Sequence, residues 1–204
     1  GRKDRVLYPK KPGSFYHLSK VHDSNNIEFA SRVWGIRCTD LNQGCVYGVD
    51  TNETVLDEKF ATSFHYDNVF GTVINRFICQ AVVEEDLTIY GNGSQKRGYL
   101  NIKDTLNCIN IAVNNPAKIG EFRVFNQYTE TLSINDISNI VIDAADLLGI
   151  KTKSKNIKNP RIEQEDHYYN PKNTSLIKLG LDPIKLEKEL VAKMIDKVSS
   201  YKDR

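Results

Sequence analysis

Residues 14–41 read Ser-Phe-Tyr-His-Leu-Ser-Lys-Val-His-Asp-Ser-Asn-Asn-Ile-Glu-Phe-Ala-Ser-Arg-Val-Trp-Gly-Ile-Arg-Cys-Thr-Asp-Leu, a capped helix followed by a strand. Ser14 can accept a hydrogen bond from a first-turn N–H, Leu18, Val21, Phe29 and Val33 form an apolar stripe, and Gly35 stops the helix. Residues 36–41 then read as a short strand, with Asn42-Gln-Gly44 and Tyr47-Gly48 as the loop leaving it. Further along, 49–68 is irregular, and helical periodicity returns over 69–83 through Val73, Phe77, Ile78 and Val82. A β-rich run at 87–90 leads into the turn Gly91-Asn-Gly93 and a strand at 97–102. Asp104 is expected to cap a helix to about 115, followed by a strand at 121–125. Ser133 caps a helix through 148 that Gly149 stops, and a strand near 151–157 and helices near 174–179 and 184–200 complete the chain. Strands alternating with helices predict an α/β architecture.

Composition excludes more than it identifies. The 204 residues are 40% hydrophobic and 26% charged, ordinary globular values that disfavour disordered, collagen-like and coiled-coil chains. A net charge of +2 gives no electrostatic argument for nucleic acid or an anionic membrane as partner. No run approaches the ~18 apolar residues of a membrane span, and no apolar signal-peptide core opens the chain. The expectation is a cytoplasmic protein, in the plastid stroma if the source is a photosynthetic eukaryote. Cys38, Cys45, Cys79 and Cys108 form no C-x-x-C pair and read as reduced, mostly buried thiols.

Three stretches carry groups with chemical potential. In Tyr16-His-Leu-Ser-Lys20 the tyrosine and lysine share a helix face, and a neighbouring ammonium favours the phenolate of a tyrosine base. The same spacing recurs at Tyr99/Lys103, on a strand that separates the pair, and at Tyr168/Lys172, interrupted by Pro171. Second, Gly91-Asn-Gly93-Ser-Gln-Lys-Arg97-Gly98 opens a strand rather than a helix, so it builds a turn and not a pyrophosphate cradle, although Arg97 could grip phosphate. Third, residues 159–170 gather Arg161, Glu163, Glu165, His167 and two tyrosines, suited to a phosphorylated polyhydroxyl ligand. Glu165 and His167 would start a metal site, but no second cluster supplies further ligands, so none is expected.

Taken together with Thr39-Asp-Leu-Asn-Gln-Gly44, Val46-Tyr-Gly48, Gln95-Lys-Arg-Gly-Tyr-Leu100 and Gly120-Glu-Phe-Arg-Val-Phe-Asn-Gln127, these stretches resemble the nucleotide-sugar branch of the extended short-chain dehydrogenase/reductase family. Within it the chain is most similar to the group that joins sulfite to UDP-glucose. The resemblance implies an NAD-dependent enzyme passing through 4-keto and 5-ene sugars. Tyr16 would take the proton of the glucose 4-hydroxyl, and Lys20 would hold the nicotinamide ribose with Gln43 on the cofactor side. His17 would handle the C5 and C6 protons. It further implies that Asn42 and Thr72 face the sugar, Arg97 and Arg161 the diphosphate, and Glu163 or Glu165 the uridine ribose. Leu87, Thr88 and Tyr90 would offer uracil contacts, and Gln95 joins the substrate set. A homodimer and a sulfite-delivering protein are the implied partners. The alternatives are another NAD-dependent UDP-sugar epimerase or dehydratase, and a non-catalytic UDP-sugar-binding module.

Family members carry a strand and glycine-rich turn that bind NAD, upstream of the tyrosine, and no such fingerprint occurs here. With Gly1 in place of Met, the expected fold is the C-terminal part of a Rossmann-type enzyme with a small mixed α/β substrate-binding domain, the N-terminal dinucleotide-binding half being absent. Residues 1–48 would end the Rossmann domain, and 49–204 would mainly bind the UDP-sugar, with some segments returning to the Rossmann sheet. NAD titrated calorimetrically into the 204-residue chain is therefore expected to show no micromolar binding; micromolar affinity would overturn this expectation.

Overall fold

The computed structural model describes residues 12–159 and 169–203. The chain divides into two compact units, one of residues 1–42 and 112–125 and the other of 43–111 and 126–204.

The first unit is built on α1 (Phe15–Trp34), which begins and ends where its caps dictate. The Ser14 side chain accepts from the His17 N–H, and Gly35 takes the left-handed conformation (φ 66°) that closes the helix. The strand that follows, β1 (Cys38–Gln43), pairs with β5 (Phe122–Gln127). Ser24 Oγ donates to Asp40 at 2.6 Å, and the Arg123 guanidinium donates to Thr39 Oγ1 at 2.9 Å, so polar contacts tie helix and strands together. The expected apolar stripe is only partly used within this unit, because Phe29 and Val33 remain half exposed.

The second unit holds the main core. β2 (Cys45–Tyr47) runs parallel to β4 (Lys96–Asn101), which pairs antiparallel with β6 (Glu130–Ser133). β3 (Leu87–Tyr90) runs parallel to β7 (Ser154–Ile157), from Leu87 opposite Ser154 to Tyr90 opposite Ile157. Against them pack α2 (Val73–Val82), α4 (Ile134–Leu147) and α6 (Lys188–Ser199), through buried Ile74, Phe77, Ile78, Ile137, Val141, Met194 and Ile195. The remaining helices are α3 (Ile102–Asn114) and the single-turn α5 (Thr174–Lys178). Parallel pairs joined through helices bear out the α/β class. Among the described residues, no helix is long and apolar enough to cross a membrane.

The departures from expectation have local causes. Tyr47 is a buried strand residue rather than part of a loop, its hydroxyl 3.1 Å from both Glu130 Oε1 and the Ile184 carbonyl. Residues 69–71 are not helical, because Asp67 Oδ1 accepts from the Val69 and Phe70 N–H groups and forms a turn before α2 starts. Asp104 is no cap: it is fully buried in the first turn of α3 and accepts from the Ile184 N–H at 2.8 Å. That bond, and the one from the Leu186 N–H to Glu130, tie 184–186 to α3 and β6, and the last helix starts at Lys188 and not at Ile184. The cysteines are free thiols as expected, but Cys108 alone of the four is buried.

Ser133 and Asp136 complete a capping box on α4, each bonding the other's backbone N–H. Donation from the Ser133 N–H and hydroxyl holds the Asp136 carboxyl below its usual range. A carboxyl with a depressed folded pKa stabilises above its unfolded value near ~4 and loses that contribution as pH falls through the folded one. Ser133→Ala is expected to cost about 1 kcal/mol at neutral pH, lowering Tm by about 2–4 °C. The difference in urea midpoint should narrow without vanishing as the pH is taken below ~4, because protonation weakens the bond from the Ser133 hydroxyl to the carboxylate while the bond from the Asp136 N–H to Ser133 Oγ does not titrate; a difference that widens in acid would contradict this.

Candidate active site

Tyr16, His17 and Lys20 occupy the first turns of α1 in the first unit. The Lys20 ammonium lies 5.7 Å from the Tyr16 ring centre, so the helix brings the pair onto one face. Lys20 also reaches Asp23 at 3.4 Å, an exposed pair of little strength. The His17 ring meets the Tyr16 ring edge-on at 5.4 Å, and its Nδ1 is 2.9 Å from Ser14 Oγ. Tyr16 is 67% exposed, so its hydroxyl end is open to a ligand.

A cavity of about 260 Å³ lies within the second unit. Thr72, Tyr90, Gln95 and Arg97, four of the residues singled out from the sequence, line it together with Arg76, Tyr99 and Cys45. Thr72 caps α2 by accepting from the Asn75 N–H, which sets its side chain at the mouth of the helix. Gly93 shapes the turn between β3 and β4: its φ is 74°, and a Cβ there would collide with the Asn135 side chain. Gln95 is buried, its Nε2 donating to the Tyr90 carbonyl at 3.3 Å while Oε1 has no partner among the described residues. Burial raises the Tyr99 phenol and the Cys45 thiol above their ordinary ranges, and the Arg97 charge opposes both shifts. These two groups are neutral lining, not bases.

Arg76, which the sequence reading does not single out, also lines this cavity. Its guanidinium donates to the Thr88 carbonyl at 2.8 Å and lies 4.1 Å from the Tyr90 ring centre. The available signal is the single charged residue of α2, a helix whose residues 73, 74, 77 and 78 are apolar, since a cation there needs a partner. Two guanidinium groups, a buried amide with an open acceptor and an aromatic face suit a planar, anionic ligand.

The remaining sequence candidates stand elsewhere. Leu87 is buried in the core with its N–H on the Lys153 carbonyl. Thr88 is bonded by Gln80 and Arg76. Asn42 and Gln43 are exposed at the end of β1. Arg161, Glu163 and Glu165 lie outside the described residues, as does the Glu165/His167 pair. No group of three or more metal-ligating side chains occurs among the described residues.

Residues 3–126 match the model of the NAD dependent epimerase/dehydratase family. The chain belongs to that family. Over all 204 residues it is 53% identical to the chloroplastic UDP-sulfoquinovose synthase of Spinacia oleracea and 40% identical to the UDP-sulfoquinovose synthase of Sulfolobus acidocaldarius. It covers 42% and 52% of those proteins, so it spans about half the length of these curated relatives. Among solved structures, the fold is similar to UDP-glucose 4-epimerase of Thermotoga maritima in complex with UDP-glucose. The TM-score is 0.72 at 17% identity, over 97% of this chain and 59% of that one.

If Arg76 holds the cavity wall through Thr88 and Tyr90, Arg76→Gln should lower stability by about 1–3 kcal/mol, read as a fall in the urea midpoint. An unchanged midpoint would mean that the two contacts do not support the wall.

Proposed function

We propose that this chain supplies the acid–base pair and the sugar-nucleotide cavity of a UDP-sulfoquinovose synthase, which forms UDP-sulfoquinovose from UDP-glucose and sulfite. The observation that carries this reading is the match along all 204 residues to two proteins of that name. The convergence of Thr72, Tyr90, Gln95 and Arg97 on one cavity supports it. Residues 1–48 end the cofactor-binding domain, and 49–204 mainly bind the UDP-sugar, with some segments returning to the cofactor domain's sheet.

In this reading Arg97 and Arg76 neutralise the diphosphate, joined by Arg161, and Tyr90 faces the uracil, whereas the Leu87 N–H and both Thr88 backbone groups are taken by Lys153, Gln80 and Arg76 and offer it no contact. Glu163 or Glu165 holds the uridine ribose, and Thr72 and Asn42 face the sugar. Tyr16 removes the proton of the 4-hydroxyl, and Lys20 holds the nicotinamide ribose, with Gln43 on the cofactor side. The exposed ends of Tyr16 and Lys20, one helical turn apart, fit the nicotinamide-ribose end of NAD. NAD, when bound, would accept and return the hydride at sugar C4. His17 moves the C5 and C6 protons while water leaves and sulfite adds at C6; Ser14 Oγ beside its Nδ1 holds the ring in place. A homodimer, a sulfite-delivering partner and, in a photosynthetic eukaryote, a place in the plastid stroma belong to the same proposal.

The full-length protein that carries this chain, given UDP-glucose, NAD and sulfite, is expected to yield a sulfonated UDP-sugar detectable by mass spectrometry. Tyr16→Phe should lower kcat by about 10²–10⁴ while leaving UDP affinity intact. UDP-galactose without sulfonated product would point to an epimerase, and indifference of the protein to Tyr16→Phe would leave only a binding module.

A further inference from the structure

Arg97 stands on β4 directly before Gly98, a residue with no Cβ to restrict its backbone. The Arg97 guanidinium leans back on its own strand, Nη1 donating to the Lys96 carbonyl at 2.9 Å, so the place of its charge follows the local course of β4. Pairing with β2 does not fix that course at Gly98, because the parallel register starts one residue later, at Tyr99 opposite Cys45. The Gly44 N–H, just before β2, goes to the Gln127 carbonyl. The Gly98 N–H donates instead to a side chain, the Tyr169 hydroxyl, at 3.0 Å. A Cβ at Gly98 would stand 2.8 Å from that hydroxyl oxygen and 2.8 Å from the Tyr128 ring, so the missing side chain is what lets both tyrosines reach the strand.

Tyr169 arrives on a segment that is itself fastened. The Tyr128 hydroxyl donates to the Pro171 carbonyl, Asn126 Nδ2 to the Lys172 carbonyl at 2.7 Å, and Asn173 Nδ2 to the Tyr128 carbonyl at 3.0 Å. Residues 169–173 are thus strapped to 126–128, with the leading side chain ending on the Gly98 amide. Arg97 and Tyr99, on either side of Gly98, both line the cavity, whereas the Gly98 Cβ position faces Tyr128 and Tyr169. Side chains alternate along a strand, so the strap holds β4 from the face turned away from the cavity.

We propose that Tyr169 is a positioning residue for Arg97: its hydroxyl pins the Gly98 amide, and the pinned strand aims the guanidinium at an anionic group in the cavity. Tyr169 acts through Arg97 and not by touching the ligand. The inference rests on the reading in which this cavity takes UDP and Arg97 meets the diphosphate. An arginine oriented in advance loses little freedom on binding, whereas one carried beside an unpinned glycine must be ordered by the ligand. The effect is therefore confined to the phosphate end of the ligand.

In the full-length protein, Tyr169→Phe is expected to weaken UDP about three- to tenfold by titration calorimetry, while uridine, which lacks the diphosphate, keeps its affinity within about twofold. In an Arg97→Gln background the same change should alter UDP affinity less than about twofold, since the group it positions is gone. A merely structural Tyr169 would move UDP and uridine together, with or without Arg97. Either of those results, or a UDP affinity indifferent to Tyr169→Phe, would overturn the proposal. UDP failing to bind the unaltered protein would strike the reading of the cavity itself, and the proposal with it.

Discussion

A half-buried cation organises the second unit. Arg76 stands in a helix whose neighbours Ile74, Phe77 and Ile78 are fully buried, and a guanidinium in such surroundings is tolerated only with bonded partners. It finds them on β3, where the Thr88 carbonyl accepts its N–H and the Tyr90 ring faces its charge. One turn further along α2, Gln80 bonds both the Thr88 N–H and its hydroxyl. The edge of β3 away from β7 is thereby occupied by α2 side chains, which sets how far helix and strand stand apart. The cavity wall is a consequence of that spacing, and so is the rigid placement of positive charge within it.

A second constraint acts through carboxylates. Glu130 on β6 and Asp104 on α3 each accept a backbone N–H from the segment before α6. Burial raises both carboxyl groups above their ordinary range, opposed by these same N–H donors. The Tyr47 hydroxyl adds to the set, its phenol pushed up by burial and by Glu130. Strand, helix and the connection between residues 184 and 186 are thus fastened by polar groups that have no better partner in the interior. The chain's entry into α6 follows from that fastening.

The elements readable from the sequence were those whose signals are local. Ser14 with Gly35, and Ser133 with Gly149, bracket helices because a cap acts within one turn and needs nothing distant. Leu87 to Tyr90 was found because alternation and the following glycines coincide. Glu130 to Ser133 was missed because its pairing with β4, not its own pattern, makes it a strand. Tyr47-Gly48 and Asp104 looked like a turn and a cap, and both were claimed by partners more than seventy residues away. The cavity divides the same way. Thr72, Tyr90, Gln95 and Arg97 stand in stretches with recognisable resemblance, whereas Arg76 acquires its role only when β3 is laid beside α2.

The two sets of candidate groups differ in how finished they are. Arg76 and Gln95 are held by bonds to neighbouring backbone, so their donors and acceptors are oriented before any ligand arrives, and little reorganisation is left for binding to drive. Tyr16 and Lys20 are correctly spaced but stand in water, where charges a few ångströms apart interact weakly. Spacing alone does not make that pair a base; water must first be displaced from it, since the same geometry gains strength as the local dielectric falls. In the function proposed for the full-length protein, ligands bound over the first turns of α1 would exclude that water and bring a substrate hydroxyl to the phenol. Under that proposal the cavity groups are oriented before a ligand arrives, whereas the tyrosine–lysine pair gains its strength only when a ligand covers it.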